Sequence, residues 1–316
     1  MADVNAPRDL DDPNRGDRNR DCLRDADRGQ LLLVAGLVMA VSLVALVVLL
    51  NASIYSENLA TRGVEAADGE PLEIRAVAVD GTGTLIDATN RDRPGSYNEA
   101  RDAVEAGIGD LDGRLARTAA ERGGMAGVSL TGDGARQGRY VAGSLDDSSN
   151  VSTVERTRAF TVAADPLPTD EDNPLTVVFN RTGSNTTHEA YAYEPSSGTV
   201  VVETGTNGTN VTEACRIDGI EDSRVTVDIT GESVDGEPCP GIWPTELSDE
   251  PDAYDIEFAN TDGVDAEMTA TVLSDGSVTS LESTPAVYDA TLRFRYRTAD
   301  VRFETTVRVA PGEPND

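Results

Sequence analysis

The side chains that could carry chemistry are few and lie far apart in the sequence. His188 is the only histidine and follows a Thr-rich sequon, which predicts a loop residue rather than a general base. The run from Asp170 to Asn173 offers clustered carboxylates of the kind that bind calcium, but no EF-hand loop surrounds it. No Gly-x-Ser-x-Gly elbow or other nucleophile–base pair is present. The sequence therefore predicts no catalytic residue, no metal site, no cofactor and no enzyme activity.

The three cysteines fall on two sides of a long apolar segment. Cys22 precedes that segment, whereas Cys215 and Cys239 follow it. If the segment separates two compartments, Cys22 stays reduced and the other two can form a disulfide where thiols oxidise. The alternative is two unpaired thiols. A zinc site is poorly supported, because Cys215, Cys239 and His188 are the only nitrogen or sulfur ligands beyond the segment.

The charge of the chain restricts its partners. The formal net charge is −31, and all 26 basic residues are arginine. Nucleic acid and anionic lipid surfaces would be repelled by such a chain, so we expect no nucleic-acid partner. An acidic excess is typical of disorder, or of adaptation to concentrated salt, in which the Debye length falls to about 3 Å at 1 M. The acidic residues alternate with apolar, strand-like segments, which favours salt adaptation.

One apolar segment predicts a membrane anchor. No charged residue occurs from Leu31 to Leu50. A helix of that length, at about 1.5 Å per residue, spans the roughly 30 Å hydrocarbon core of a bilayer. A cleaved secretory signal is the alternative, but its apolar region is shorter, and Asn51-Ala52-Ser53 is a poor cleavage site. We expect a single transmembrane helix with the lipid bilayer as its partner.

The distribution of arginine predicts the orientation of this helix. Only Arg62 lies in the stretch that follows the apolar segment, whereas five arginines lie in a similar stretch before it: Arg15, Arg18, Arg20, Arg24 and Arg28. Positive residues favour the cytoplasmic side of a membrane. We therefore expect a single-pass protein of the cell membrane, with its N-terminus cytoplasmic and its C-terminal domain extracellular.

Six Asn-x-Ser/Thr sequons support this placement, because all of them lie on the expected outer side. They are Asn51, Asn150, Asn180, Asn185, Asn207 and Asn210. They are candidate glycosylation sites; the alternative is unmodified Thr-rich loop sequence.

A possible processing site lies at the cytoplasmic edge of the apolar segment. The stretch Arg28-Gly29-Gln30-Leu31 resembles an archaeal type IV prepilin signal, in which the bond after the small residue is cut. Cleavage would leave Gln30 as the N-terminus of a long apolar helix. Such a helix can pack against like helices as well as against lipid. The alternative is that Gly29 only marks the membrane boundary.

Together with the residues at 49–51 and 54–62, this stretch is similar to uncharacterised haloarchaeal single-span membrane proteins with a pilin-like N-terminus. The resemblance implies other pilin-like helices as partners and brings no known activity. Two features depart from major haloarchaeal pilins. No Ser-Pro-Val sequence follows the cut, and the leader is long and rich in Asp.

Hydrophobic periodicity predicts a helical region followed by strands. Ser96-Tyr97-Asn98-Glu99 is a capping box that starts a helix over 96–122. Residues 72–89 fit either a helix or a strand, and we favour the helix. From Gly138 the period becomes two. Residues 288–296 and 301–309 form a hairpin with one dry and one wet face, and further strands are expected at 159–163, 175–180, 190–193, 199–203, 224–230, 254–259 and 267–273.

These patterns predict a membrane-anchored α+β chain: a long N-terminal transmembrane helix, a helical stalk, then an antiparallel β-sandwich-like extracytoplasmic domain. The expected boundaries are a disordered cytoplasmic leader at 1–29, the transmembrane helix and its extension at 30–62, a helical region at 63–137, a β-rich domain at 138–310 and an unstructured tail at 311–316. Trp243 either plugs the sandwich or is exposed as a carbohydrate platform, and core packing is favoured.

Two functional hypotheses follow. The first is a pilin-like or pseudopilin-like cell-surface structural or assembly protein. The second is a permanently anchored, glycosylated cell-surface binding module without catalysis. They differ in whether the chain is cut after Gly29.

Overall fold

The computed structural model describes residues 69–249 and 253–314, together with Met39 and Leu43. The expected leader, the Gly29–Gln30 processing site, Asn51 and most of the apolar segment lie outside the described residues. Met39 and Leu43 are helical and exposed. Within the part of the chain that is described, no helix is both long and apolar enough to cross a bilayer. The chain divides into two compact units, Met1–Gly69 and Glu70–Asp316.

The second unit begins with two helices. Residues 69–91 are helical and form α1, which confirms the helical interpretation of 72–89. Helix α2 spans Tyr97–Glu121. The Ser96 hydroxyl accepts a hydrogen bond from the Glu99 amide at 3.2 Å, as the capping box predicts. The Glu99 carboxylate accepts from the amide of Gly95 at 3.0 Å, one residue earlier than expected.

Helices α1 and α2 approach closely where small residues allow it. A Cβ at Gly107 would lie 2.4 Å from a methyl carbon of Leu85, so a larger residue there would push the helices apart. Gly81 faces Leu111 in the same way, with 3.3 Å to the nearest methyl carbon. The two helices therefore form a tightly packed hairpin.

The rest of the unit is a 14-stranded antiparallel sheet with a short helix, α3 (Glu246–Asp249). Its strands are β1 (Met125–Ser144), β2 (Asn150–Asp165), β3 (Leu175–Arg181), β4 (Thr187–Ser196), β5 (Thr199–Thr206), β6 (Thr209–Asp218), β7 (Val225–Asp228), β8 (Ser233–Val234), β9 (Glu237–Pro238), β10 (Tyr254–Ala259), β11 (Asp265–Ser274), β12 (Val278–Thr279), β13 (Glu282–Arg297) and β14 (Arg302–Val309). The main order is β14-β13-β1-β11-β2-β10-β3-β4-β5-β6, while β12 and β7 also pair with β2, and β8 and β9 extend from β7.

The expected strands and the C-terminal hairpin are confirmed. Tyr288, Leu292 and Phe294 form the dry face of the hairpin and are buried. Strand β1 begins at Met125, before Gly138, so the last part of the region expected to be helical is strand. In β1, Gly and polar residues interrupt the alternation of apolar and polar side chains, so the sequence pattern of this strand is weak. Its long pairing with β13 stabilises the strand instead. Helices and sheet also form one compact unit rather than two domains.

The Asn207-Gly208 pair, which is part of a sequon, forms the two-residue turn of a β5–β6 hairpin, with φ of +53° and +64°. Both residues adopt the left-handed conformation that such turns require. One further expectation needs correction. The tail expected to be unstructured is ordered over residues 311–314, where the amide of Ala159 donates to the carbonyl of Gly312 at 2.8 Å.

The unit has two hydrophobic cores. The helix–sheet core lies between α1, α2 and the β1–β13–β14 end of the sheet, with Ile86, Val104 and Phe294 among its buried residues. The sheet core lies where the sheet folds over itself, so that Val227 of β7 and Val177 of β3 belong to one cluster. This packing of sheet on sheet is β-sandwich-like.

The disulfide between Cys215 and Cys239 is present and joins β6 to the segment that follows β9. Its Cα atoms are 5.2 Å apart, and the two residues are 24 positions apart in sequence. It therefore connects two parts of the sheet that do not pair directly with each other.

Replacing Cys215 and Cys239 together by alanine should lower the free energy of unfolding by about 3 kcal/mol, because the unfolded chain gains the freedom of the opened loop. Denaturant unfolding at fixed salt would measure this loss. The wild-type chain with its disulfide reduced is the matched control and should lose about the same free energy as the double variant. Equal stability of the oxidised and reduced wild-type chain would contradict the prediction.

Candidate functional site

The structure places His188 in strand β4, where it is buried, so the prediction of a loop residue is wrong. It pairs across the sheet with Phe179, and the strand alternation directs it to the same side as Ala190 and Ala192 of the sheet core. Its Nε2 has no hydrogen-bond partner among the described residues. The Thr-rich flank that indicated a loop is the turn at 182–186, and β4 begins at Thr187, one residue before His188.

The acidic run at 170–173 lies in the connection between β2 and β3. The Asp172 amide donates to the Asp170 carboxylate at 3.0 Å, which is a local turn bond. Over residues 69–249 and 253–314, no group of His, Cys, Asp and Glu side chains is arranged to hold a metal ion.

Trp243 is buried, which confirms the core interpretation over the carbohydrate platform. Its ring meets the ring of Phe179 edge to face, with 5.5 Å between centroids. The ring of Tyr254 lies 6.4 Å away in a similar geometry. Burial of Tyr254 raises the pKa of its hydroxyl, which hydrogen-bonds Thr157 at 2.8 Å.

The sequon asparagines differ in accessibility. Asn185, Asn207 and Asn210 are exposed in or next to turns. Asn150 and Asn180 are half-buried in strands β2 and β3. A modifying enzyme could therefore reach the side chains of the three exposed asparagines in the folded protein.

A buried arginine, missed by the sequence analysis, joins four parts of the fold. The side chain of Arg158 in β2 has no exposed surface. Its guanidinium donates to the carbonyls of Tyr288 (2.6 Å) and Val287 (3.0 Å) in β13. It also donates to Asp87 of α1 at 2.6 Å and to the Pro311 carbonyl at 3.1 Å. The strand pattern gives no signal for it, because the alternation of β2 is interrupted at Ala159, which has a φ of +49°.

Two further carboxylates, of Asp289 and Glu313, form ion pairs with other arginines of the sheet. Asp289, expected on the wet face of β13, is buried and accepts hydrogen bonds from Arg136 (2.6 Å) and Arg308 (2.7 Å). Burial tends to raise the pKa of Glu313, but hydrogen bonds from Arg308 and the Tyr288 hydroxyl outweigh it and hold the pKa below its usual value. These ion pairs fasten the C-terminal segment against the sheet.

The face of the sheet opposite the helices carries exposed positive charge. We call Arg293, Arg295 and Arg297 of β13, together with Arg302 of β14, the arginine face; all four are exposed. The alternate residues Leu292, Phe294 and Tyr296 are buried on the helix side. Strand alternation thus places one apolar and one basic face on the same hairpin.

A cleft of about 860 Å³ lies beside β6, β7 and β8. We call it the acidic cleft, because six carboxylates line it: Asp218, Glu221, Asp222, Asp228, Asp235 and Glu237. Its one basic residue, Arg216, is paired with Glu213 at 2.6 Å. The cleft therefore has a strongly negative field, in contrast to the arginine face.

The described unit is a helical hairpin packed on one end of a folded antiparallel sheet, with separate basic and acidic surfaces. Residues 25–165 match the model of a family of unknown function, DUF7261. The match covers the apolar segment, both helices and the first two strands, which is less than half of the chain. No curated protein and no solved structure matches this chain.

Proposed function

We propose that the chain is a pilin-like or pseudopilin-like structural or assembly subunit of the cell surface, anchored by one N-terminal transmembrane helix. The lipid bilayer and other pilin-like helices are its partners in this proposal. The N-terminus is cytoplasmic and the β-rich domain is extracellular, in a halophilic setting that the acidic composition supports.

The observation that carries the proposal is the docking of α1 on the sheet. Asn90 is buried, and its side-chain amide exchanges two hydrogen bonds with the backbone of Val287, at 2.9 and 3.0 Å. Ile74, Ala78 and Ile86 bury the inner side of the same helix in the helix–sheet core. Helix α1 is therefore held to the sheet at several points, and we expect such a rigid helix–sheet unit in a structural subunit.

The sequence before α1 supports the same proposal. The uncharged stretch from Leu31 to Leu50 is preceded by five arginines and by the Gly29–Gln30 bond. Cleavage before Gln30 would place the apolar stretch at the N-terminus of the chain. Without the charged leader, this stretch could pack against like helices.

Gly29→Val should block removal of the leader, because a branched side chain replaces the small residue before the scissile bond. The wild-type chain, purified from membranes, should give an intact mass and an N-terminal peptide that begin at Gln30. The Gly29→Val chain should retain residues 1–29. Gly16→Val is the matched control, since Gly16 also follows an arginine but precedes no apolar segment. A full-length wild-type chain would contradict the proposal.

The alternative is a permanently anchored, glycosylated binding module. The exposure of Asn185, Asn207 and Asn210 favours it. A full-length mass increased by glycan would support this function, whereas an unmodified chain beginning at Gln30 would support the first.

A further inference from the structure

We infer that the arginine face is a docking surface for a second copy of this chain, and that it binds the acidic cleft of that copy. The inference rests on the proposed function, because it names the contact through which outer domains of assembled subunits meet. It goes beyond packing of the apolar helices, since both surfaces lie in the described outer unit.

The arginine face holds charge that is not neutralised within its own fold. Among residues 69–249 and 253–314, Arg293, Arg295 and Arg297 form no ion pair. Arg302 reaches only Glu304, at 4.0 Å. The buried Arg158, in contrast, pairs with Asp87 at 2.6 Å. Four arginines against one glutamate leave a basic surface on a chain whose net charge is −31.

Charge complementarity identifies the partner. Glu221, Asp222 and Glu237 line the acidic cleft and likewise form no ion pair among the described residues. Matching a positive surface with a negative one favours a specific register and disfavours like-charged pairings. In concentrated salt, where the Debye length is about 3 Å, only charges in direct contact still attract each other, so the contact depends on close ion pairs.

The two surfaces lie at opposite ends of strand β1. The first residue of β1, Met125, pairs with Arg297 of the arginine face. Near the other end, Ala142 pairs with Thr269 of β11, which pairs in turn with Thr161 on the wall of the acidic cleft. A contact between unlike patches at opposite ends is heterologous and does not close on itself. Repeated, it would join copies head to tail.

The exposed edge of the sheet is compatible with this contact. Strand β14 pairs only with β13 among the described strands, so its outer edge lies beside Arg302 without a neighbouring strand. Alternating charged residues on such an edge oppose unspecific strand pairing. We therefore expect a second copy to dock through charged side chains and not by adding a strand to this edge.

The test uses the full chain in detergent micelles. All variants keep the same apolar segment, so differences in association between them report on the outer unit. Two variants are compared with wild type: Arg295→Glu with Arg297→Glu, and Glu221→Arg with Asp222→Arg. Two controls carry the same charge changes elsewhere: Arg114→Glu with Arg117→Glu, and Asp102→Arg with Glu105→Arg, all exposed on α2. Sedimentation and pull-down between differently tagged copies measure self-association at one fixed salt concentration.

Each variant alone should associate on the order of tenfold more weakly than wild type, because attractive contacts become repulsive. An equimolar mixture of the two variants should restore association. The negatively charged face of the first variant can then bind the positively charged cleft of the second. The α2 controls should behave as wild type. Restoration in the mixture is specific to the proposed pairing and cannot arise from misfolded variants.

Three outcomes would overturn the inference: no association of the wild type in micelles, equal association of wild type and variants, or no restoration in the mixture. Vesicles of phosphatidylglycerol in phosphatidylcholine test an anionic lipid surface as the occupant instead. Binding to those vesicles that is lost with Arg295→Glu and Arg297→Glu, without self-association, would likewise overturn it. The Gly29→Val test is independent of all these results, so failure of this contact and failure of the proposed function are distinguishable.

Discussion

Arg158→Met should lower the free energy of unfolding by about 3–5 kcal/mol, because removal of one partner leaves buried polar groups without the other. The Asp87 carboxylate and the carbonyls of Tyr288 and Pro311 would lose the donor that Arg158 provides. The Val287 carbonyl would keep the side-chain amide of Asn90 as its donor. Methionine fills much of the volume but donates no hydrogen bond. The loss of stability should be visible in denaturant unfolding followed by far-UV circular dichroism at fixed salt.

The matched control for this prediction is Arg156→Met. Arg156 lies two residues away, is half-exposed and contacts Glu313 at 3.3 Å, so its loss should cost less than about 1 kcal/mol. Adding Asp87→Leu to Arg158→Met should recover part of the lost stability, since the unpaired carboxylate is then removed. Equal effects of Arg156→Met and Arg158→Met would show that the buried cluster does not hold the fold together.

Trp243→Ala should destabilise the sheet core by about 3–5 kcal/mol, because truncation of a buried aromatic ring removes apolar contacts and leaves a cavity. The ring contacts Phe179 and Tyr254 edge to face, so both neighbours would lose a packing partner. Circular dichroism is the suitable probe, since Trp243 is the only tryptophan and its fluorescence disappears with it.

Two controls separate cavity formation from the mere loss of an apolar side chain. Trp243→Phe keeps an aromatic ring and should cost less than the alanine variant. Met125→Ala removes an exposed side chain and should change the stability by no more than about 0.5 kcal/mol. A stable Trp243→Ala protein would mean that the ring occupies a surface position, as a carbohydrate platform would.

Local patterns predicted the elements of this fold but not all of their boundaries. The Ser96 cap and the regular apolar spacing that follows it specify α2, because the first turn and the buried face depend on nearby residues. The alternation over β13 specifies the hairpin in the same way. Strand β1 was placed too late, since its start is set by pairing of Met125 with Arg297, far along the chain.

The candidate surfaces were less accessible to sequence reasoning. The arginines of β13 were recognised as the wet face of a hairpin, but only the assembled sheet shows that they lack ion-pair partners among the described residues. The acidic cleft combines residues of β6, β7 and β8, which no spacing in the sequence brings together. His188 and Asp289 were both expected to be exposed, and both are buried.

The sequence by itself determined the capped helix and the two-faced hairpin, because each depends on periodicity and on local caps. It favoured the pairing of Cys215 with Cys239 but left two unpaired thiols open, and the structure decided for the disulfide. Only the tertiary structure decided the burial of Arg158, whose partners Asp87 and Pro311 are 71 and 153 residues away in sequence. A charged side chain can be buried only where distant groups converge to satisfy it, and that convergence is a property of the packed fold.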